Sequence, residues 1–250
     1  MTASLEFSDT PRDAERVEAF ARKIIGILNG GALSLMISVG HRTGLFDAMT
    51  GGTRTTSAEL ATKAGLQERY IREWLGAMTV AGIVEHDAET GTYSLPAEHA
   101  ASLGRDASAG NLAVFAQYVP LLGSVEDDIV RCFREGGGVP YERYGRFHEV
   151  MAEDSGQTVL PALISDILPL VPGLIERLEK GLYVLDAGCG RGRILNLLAA
   201  NFPKTRLVGY DLSNEAIEFA RSDAYRLGHK NVEFFVRDLV ASVSPSERIR

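Results

Sequence analysis

Five residues, Gly188-Cys189-Gly190-Arg191-Gly192, interrupt an apolar run and lead into a helical pattern. Glycine there lets the backbone turn tightly and lets a ligand approach with no Cβ in its way. A helix that starts at such a loop offers free backbone N–H groups. Asp211 closes the run Arg206-Leu207-Val208-Gly209-Tyr210. It lies about 20 residues beyond the glycine loop, the spacing at which a carboxylate accepts both hydroxyls of a ribose. Asp238 follows Val232-Glu233-Phe234-Phe235-Val236, where a side chain can accept from an adenine amino group while Leu212 or Leu239 packs on the base. Taken singly, the glycines read as a tight strand-to-helix turn and either aspartate as a capping carboxylate. In this order and spacing the set reads as a nucleoside site.

The nucleoside is not that of a dinucleotide. Such sites use G-x-G-x-x-G, whose third glycine permits close helix packing near the pyrophosphate. Here Arg193 stands at that position. Asp186, just before the loop, sits badly with a pyrophosphate and suits a ligand that carries an ammonium group.

These residues need a frame. From residue 182 the rhythm is strand, helix, strand, helix, strand. Leu182-Tyr183-Val184-Leu185 is a continuous apolar run, the pattern of a strand buried on both faces. Gly192 to Asn201 and Ser213 to Leu227 are helical, the latter with Ser213 as N-cap and Gly228 past its end. The alternation predicts a parallel sheet with right-handed crossovers, which binds ligands at the carboxyl ends of its strands.

Upstream the chain is mostly helical. Residues 12–29 and 32–49 read as two helices, closed by the turn Thr50-Gly51-Gly52-Thr53. Thr56 or Ser57 caps a helix over 56–64, with Glu59 in reach for a capping interaction. Residues 66–80 form a longer helix with Tyr70, Ile71, Trp74, Leu75 and Met78 inward. Two short β-runs, Ile83–His86 and Thr92–Leu95, then flank an acidic turn, so the order is that of a winged helix. Its candidate recognition helix carries Arg69 and Arg72 against Glu68 and Glu73, too little positive charge for a phosphate-binding face. Helical patterns resume over 97–130. A glycine-rich loop then precedes Tyr141, Tyr144, Phe147 and His148, which read either as a hydrophobic staple or as a substrate wall. His148 is a candidate general base, although a surface histidine is the simpler reading. Residues 159–179 are apolar helix broken by Pro169 and Pro172.

Composition sets the outer bounds. The chain has 250 residues, 45% hydrophobic and 24% charged, with a formal net charge of −7. That is an ordinary globular balance and argues against a nucleic-acid partner. Cys132 and Cys189 lie in different segments, so neither a zinc site nor a disulfide framework is expected. The amino terminus has no secretory pattern, and nothing was expected to approach a membrane span. A reducing cytoplasm is the simplest location.

VLDAGCGRG, VGYDLS and VEFFVRDL resemble the first three motifs of class I S-adenosylmethionine-dependent methyltransferases. The segment SVGHRTGLFDAM…TSAELATKAG…REWLGAMTVAGIVE resembles the amino-terminal winged helix of a bacterial subgroup that methylates small molecules. The resemblance implies S-adenosylmethionine as cofactor and a small-molecule acceptor. Asp186, Ala187, Gly188, Cys189 and Gly190 would lie at the methionine end, Asp211 would hold the ribose, and Asp238 with Leu239 or Leu212 would border the adenine. It also implies a homodimer formed through the amino-terminal domain. The fold expected is α/β: a winged-helix domain over 1–110, a helical linker and substrate lid over 111–178, and a partial Rossmann-like sheet of three strands over 179–250. Family members continue with four more strands, in spatial order 3-2-1-4-5-7-6, whereas here a polar stretch from Val240 to Arg250 follows. The expectation is a fragment of a longer enzyme, with residues 182–185 an exposed apolar edge and methyl transfer impaired. The other reading is a non-catalytic pseudoenzyme or winged-helix interaction module.

Overall fold

The computed structural model describes residues 13–106 and 110–239. The stretch Val240–Arg250, on which the fragment reading rested, lies outside the described residues. The chain divides into two compact units, the first running to Ala100 and the second from Ala101.

The first unit opens with α1 (Ala14–Thr43), then α2 (Leu45–Met49), α3 (Ser57–Ala64) and α4 (Glu68–Val80). Strands β1 (Glu85–Asp87) and β2 (Thr92–Ser94) pair antiparallel, and α5 (Ala97–Leu103) follows. This is the winged helix that the sequence order predicts. Thr56 and Glu59 form a full capping box at α3: the Glu59 amide donates to Thr56 Oγ1 at 3.3 Å, and Glu59 Oε2 accepts from the Thr56 amide at 2.8 Å. Phe46, Leu60, Ile71, Trp74, Leu75 and Met78 fill the core. The Trp74 indole meets Phe46 edge-on at 5.3 Å and donates to the Met36 carbonyl at 2.9 Å, which ties α4 to α1.

Three expectations need correction here. The two helices read over 12–29 and 32–49 are largely one, because α1 runs unbroken through Gly30-Gly31. Two glycines cost a helix about 1 kcal/mol each, which weakens it without ending it. Tyr70, expected inward, is 75% exposed, since only Ile71, Trp74, Leu75 and Met78 fall on the buried stripe of α4. Finally, α1 is long and apolar enough to cross a membrane by length and composition. Its last turns nevertheless belong to the winged-helix core, where Ser38, Gly40 and His41 are buried.

The second unit begins with a 3-10 turn over Leu112–Gln117, then α6 (Tyr118–Gly123) and α7 (Glu126–Glu135). A 3-10 turn at Tyr141–Tyr144 leads into α8 (Phe147–Thr158). After α9 (Leu160–Ala162) the chain passes through short π and 3-10 turns to α10 (Leu174–Lys180). Then come β3 (Tyr183–Ala187), α11 (Arg193–Asn201), β4 (Arg206–Asp211), α12 (Asn214–Leu227) and β5 (Val232–Val236). The strands pair in parallel in the order β3-β4-β5. Leu195, Leu198, Leu207, Ile217, Ala220 and Phe234 form the core between sheet and helices. β3 pairs only with β4 among the described residues. Tyr183 is 85% and Leu185 45% exposed, so its apolar run is not buried on both faces but is exposed, in line with the expected apolar edge.

Gly40 and Gly30 test the packing of α1 from opposite sides. A Cβ on Gly40 would stand 2.5 Å from the Trp74 ring, whereas one on Gly30 meets nothing within 4 Å. Gly30→Ala should stabilise by up to about 1 kcal/mol through helix propensity. Gly40→Ala should reverse that sign and cost about 1–3 kcal/mol through overpacking. Urea unfolding of the two variants checks the contrast.

Candidate functional site

The loops after the three strands are laced together at their carboxyl ends. The Tyr210 carbonyl accepts from the amides of Gly188 at 2.7 Å and Cys189 at 3.0 Å. Asp211 Oδ2 accepts from the Gly190 amide at 2.8 Å, and Oδ1 from the Ser213 amide at 2.9 Å. The Asp211 carbonyl accepts from the Arg237 amide at 2.8 Å. One residue at the end of β4 thereby fixes the loops on both sides of it. Sequence spacing had assigned Asp211 to a ribose; its bracing role was not legible there. A carboxylate has about four acceptor positions, so two backbone amides leave capacity for a ligand hydroxyl.

The glycines divide by role. Gly188 and Gly190 have φ of 89° and 52°, and a Cβ on either would project into open space. Gly192 and Gly209 are packing glycines. A Cβ on Gly192 would stand 2.5 Å from the Phe234 ring, and one on Gly209 2.7 Å from Cys189 Sγ. The first pair clears a concave surface and the second lets the core close behind it.

That surface belongs to a cavity of about 430 Å³. Its floor is Ala187 to Arg191 with Asp211, Leu212, Asp238 and Leu239, and its wall includes Tyr141, Phe147, His148 and Met151. The structure thus brings together most of the residues singled out from sequence. Two lie apart from the lining: Asp186, and Tyr144, whose ring packs on Phe147 at 6.0 Å. Arg193, Ile194, Ser155 and Arg237 also line the cavity and were not foreseen as lining residues, because their approach depends on tertiary packing. His148 Nε2 is buried without a hydrogen-bond partner, and its ring stands 5.3 Å from Phe147 and 6.0 Å from Tyr141. Among the described residues no cluster of His, Cys, Asp or Glu could hold a metal ion.

Asp211 perturbs Asp186 at the strand ends. Burial, and after it the Asp211 carboxylate, push the Asp186 carboxyl up from its ordinary range. Burial, with Asp186 and Asp211 adding to it, pushes the Cys189 thiol up to about 12, so it stays protonated and inert. A positively charged ligand group beside this pair of carboxylates would relieve it, and Arg191, Arg193 and Arg237 also line the cavity.

Because the folded chain holds the Asp186 proton more tightly than the unfolded chain does, the stability that goes with it is present below the ordinary aspartate range. It is lost as pH rises through the raised value. Asp186→Asn, which cannot ionise, should therefore melt higher than the parent at about pH 7 and converge with it near pH 4 or below. Thermal denaturation across that range checks this, and a lower melting point of the variant at neutral pH would contradict it.

Residues 31–105 match the Rv2258c-like winged HTH domain and residues 178–244 match a methyltransferase domain. A release factor glutamine methyltransferase of Koribacter versatilis is 38% identical over 86 residues, 34% of this chain and 29% of that protein. A protein of the same name from Streptococcus pneumoniae is 39% identical over 64 residues, 26% of this chain and 22% of its own length. The matches thus span less than a third of these curated relatives. Among solved structures, a mitomycin 7-O-methyltransferase superposes with a TM-score of 0.61 at 18% identity, covering 92% of this chain and 69% of that one. An O-methyltransferase family protein from Burkholderia thailandensis gives 0.58 at 17%, covering 88% and 64%. Human N-acetylserotonin methyltransferase gives 0.54 at 15%, covering 92% and 67%. The chain thus matches an Rv2258c-like winged helix-turn-helix domain in its first part and a methyltransferase domain in its last, and its fold is similar to that of these solved methyltransferases.

Proposed function

We propose that the chain binds S-adenosylmethionine in the cavity at the strand ends and serves methyl transfer to a small, largely apolar acceptor. One observation carries the reading: Gly188 and Gly190 open a cradle between the strand ends, and Asp186 and Asp211 put negative charge beside it. The residues fit the cofactor. Gly188 and Gly190 would admit the methionine portion with Asp186 beneath its charge, Asp211 would hold the ribose, and Asp238 with Leu212 and Leu239 would border the adenine. When bound, the cofactor supplies an electrophilic methyl group on a sulfonium. What the protein adds is mainly proximity and orientation.

On the facing wall, Tyr141, Phe147 and Met151 offer apolar and aromatic surface suited to a flat acceptor. His148 lines the cavity beside them, and in this reading its ring would turn its buried Nε2 toward the acceptor and take up the proton that an acceptor hydroxyl loses, with its own proton on Nδ1. The similarity to a mitomycin 7-O-methyltransferase and to human N-acetylserotonin methyltransferase supports such an acceptor. This chain covers only 69% and 64% of the first two solved structures, so transfer by these 250 residues alone is part of the proposal.

The first unit serves as a scaffold in this reading. On α4, Arg69 and Arg72 pair with Glu73 and Glu68 of the same helix at 3.2 and 3.9 Å, which leaves little free positive charge for phosphates. Val17, Phe20, Ile24, Ile25, Ile27 and Leu28 of α1 are exposed, a contiguous apolar surface on one helix. A second copy of the chain is the occupant proposed for it, giving a homodimer. Two free cysteines suit the reducing cytoplasm as its location.

Two outcomes follow. Titration calorimetry with S-adenosylhomocysteine should show binding that Asp211→Ala weakens by about 10- to 100-fold, the loss of hydrogen bonds to a charged group. Unchanged affinity would sink the ribose assignment. Sedimentation should show a dimer that Phe20→Asp with Leu28→Asp converts to a monomer of unchanged helical content; a monomeric parent protein would retire the pairing.

A further inference from the structure

Arg193 is the first residue of α11, immediately after the glycine loop, and its side chain does not stay on its own helix. Arg193 Nη1 donates to the carbonyl of Ala152, 41 residues earlier and in the interior of α8. In an α-helix that carbonyl already accepts from the amide four residues on, which is Gly156. The arginine reaches it sideways, over Gly156. A Cβ on Gly156 would lie 2.6 Å from Arg193 Nη1 and 3.2 Å from its Cζ. Glycine in the middle of α8 costs helix stability, and here its missing side chain is the seat of the guanidinium.

The position of α8 matters to the cavity. Phe147, His148, Met151, Ala152 and Ser155 all line it, and all belong to this helix. The other flank of α8 is held by polar contacts from the preceding helical segment. Tyr118 Oη donates to Asp154 at 2.8 Å, and Gln117 Nε2 donates to Glu153 at 2.8 Å. Burial and the Asp154 contact push the Tyr118 hydroxyl up to about 12, so it remains a donor. On the side of the glycine loop, the contact from Arg193 is the polar tie to α8 that the structure records.

We propose that Arg193 is a positioning residue, a strap that holds the acceptor wall on α8 in register with the glycine cradle, and that Gly156 is its socket. This rests on the reading of the cavity as a cofactor and acceptor site. It also gives a reason for arginine where a dinucleotide fold keeps a third glycine. A glycine there would draw helix and strand together, whereas the long arginine reaches out to a second element and ties it down.

Gly156→Ala separates the strap from the fold. Alanine is the better helix former, and the atom it displaces is the end of a flexible side chain, so the variant should melt no lower than the parent. Amide exchange over residues 147–158 in the ligand-free 250-residue chain should still accelerate by about tenfold or more in both Gly156→Ala and Arg193→Ala. Both should also weaken S-adenosylhomocysteine binding by about fivefold or more, and Arg193→Lys, which keeps a donor, should recover part of each effect. Exchange and affinity equal to the parent in Gly156→Ala would overturn the proposal. A parent chain that binds no S-adenosylhomocysteine would overturn the cofactor reading instead, and the exchange rates would still decide the strap.

Discussion

A single carboxylate organises the second unit. Asp211 ends β4, takes the Gly190 amide on one oxygen and the Ser213 amide on the other, and its own carbonyl receives the Arg237 amide. Three loops that leave three strands are thereby bound to one residue. Charge-assisted hydrogen bonds to backbone amides are among the stronger ones available, and here they are spent on loops that would otherwise move separately. The glycine loop can stay open at Gly188 and Gly190 because it is held at Tyr210 and Asp211 and not by packing over its surface.

From this constraint the rest follows in layers. Behind the loop, Gly192 and Gly209 let Phe234, Leu195 and the Cys189 thiol close the core, so the cradle rests on a rigid backing. Beneath it, Asp186 is kept partly buried next to Asp211, an arrangement that costs the unliganded chain stability and that a cation would relieve. Opposite it, α8 carries the aromatic wall and is tied from both flanks. In the function proposed here the glycine cradle and the wall on α8 would set cofactor and acceptor against each other, the condition under which proximity contributes most to rate.

Much of this was legible in the sequence, for identifiable reasons. The strand-helix alternation shows because a parallel strand is an apolar run and each helix carries its own punctuation, as Ser213 and Gly228 do for α12. Asp211 and Asp238 were placed by their position at strand ends, which is local information. What failed depended on distant partners. Gly188 and Gly192 look alike in a motif, and only Phe234 and Ala220, packed against one of them, distinguish their roles. Gly30-Gly31 reads as a break, yet α1 runs through it because its downstream turns are anchored by Trp74. Arg193 was noticed only as a glycine that was missing; its partner on α8 lies too far along the chain for any spacing rule to connect them.

The central claim is that the cradle at Gly188 and Gly190 receives the charged, nucleoside-bearing ligand and discriminates against a dinucleotide. Amide nitrogen–proton correlation spectra of the chain, titrated with S-adenosylhomocysteine and separately with NAD, test it directly. The account predicts saturable shifts at the Gly188, Gly190 and Ser213 amides with S-adenosylhomocysteine and none with NAD. Silent resonances in the first titration, or equal shifts in both, would contradict it.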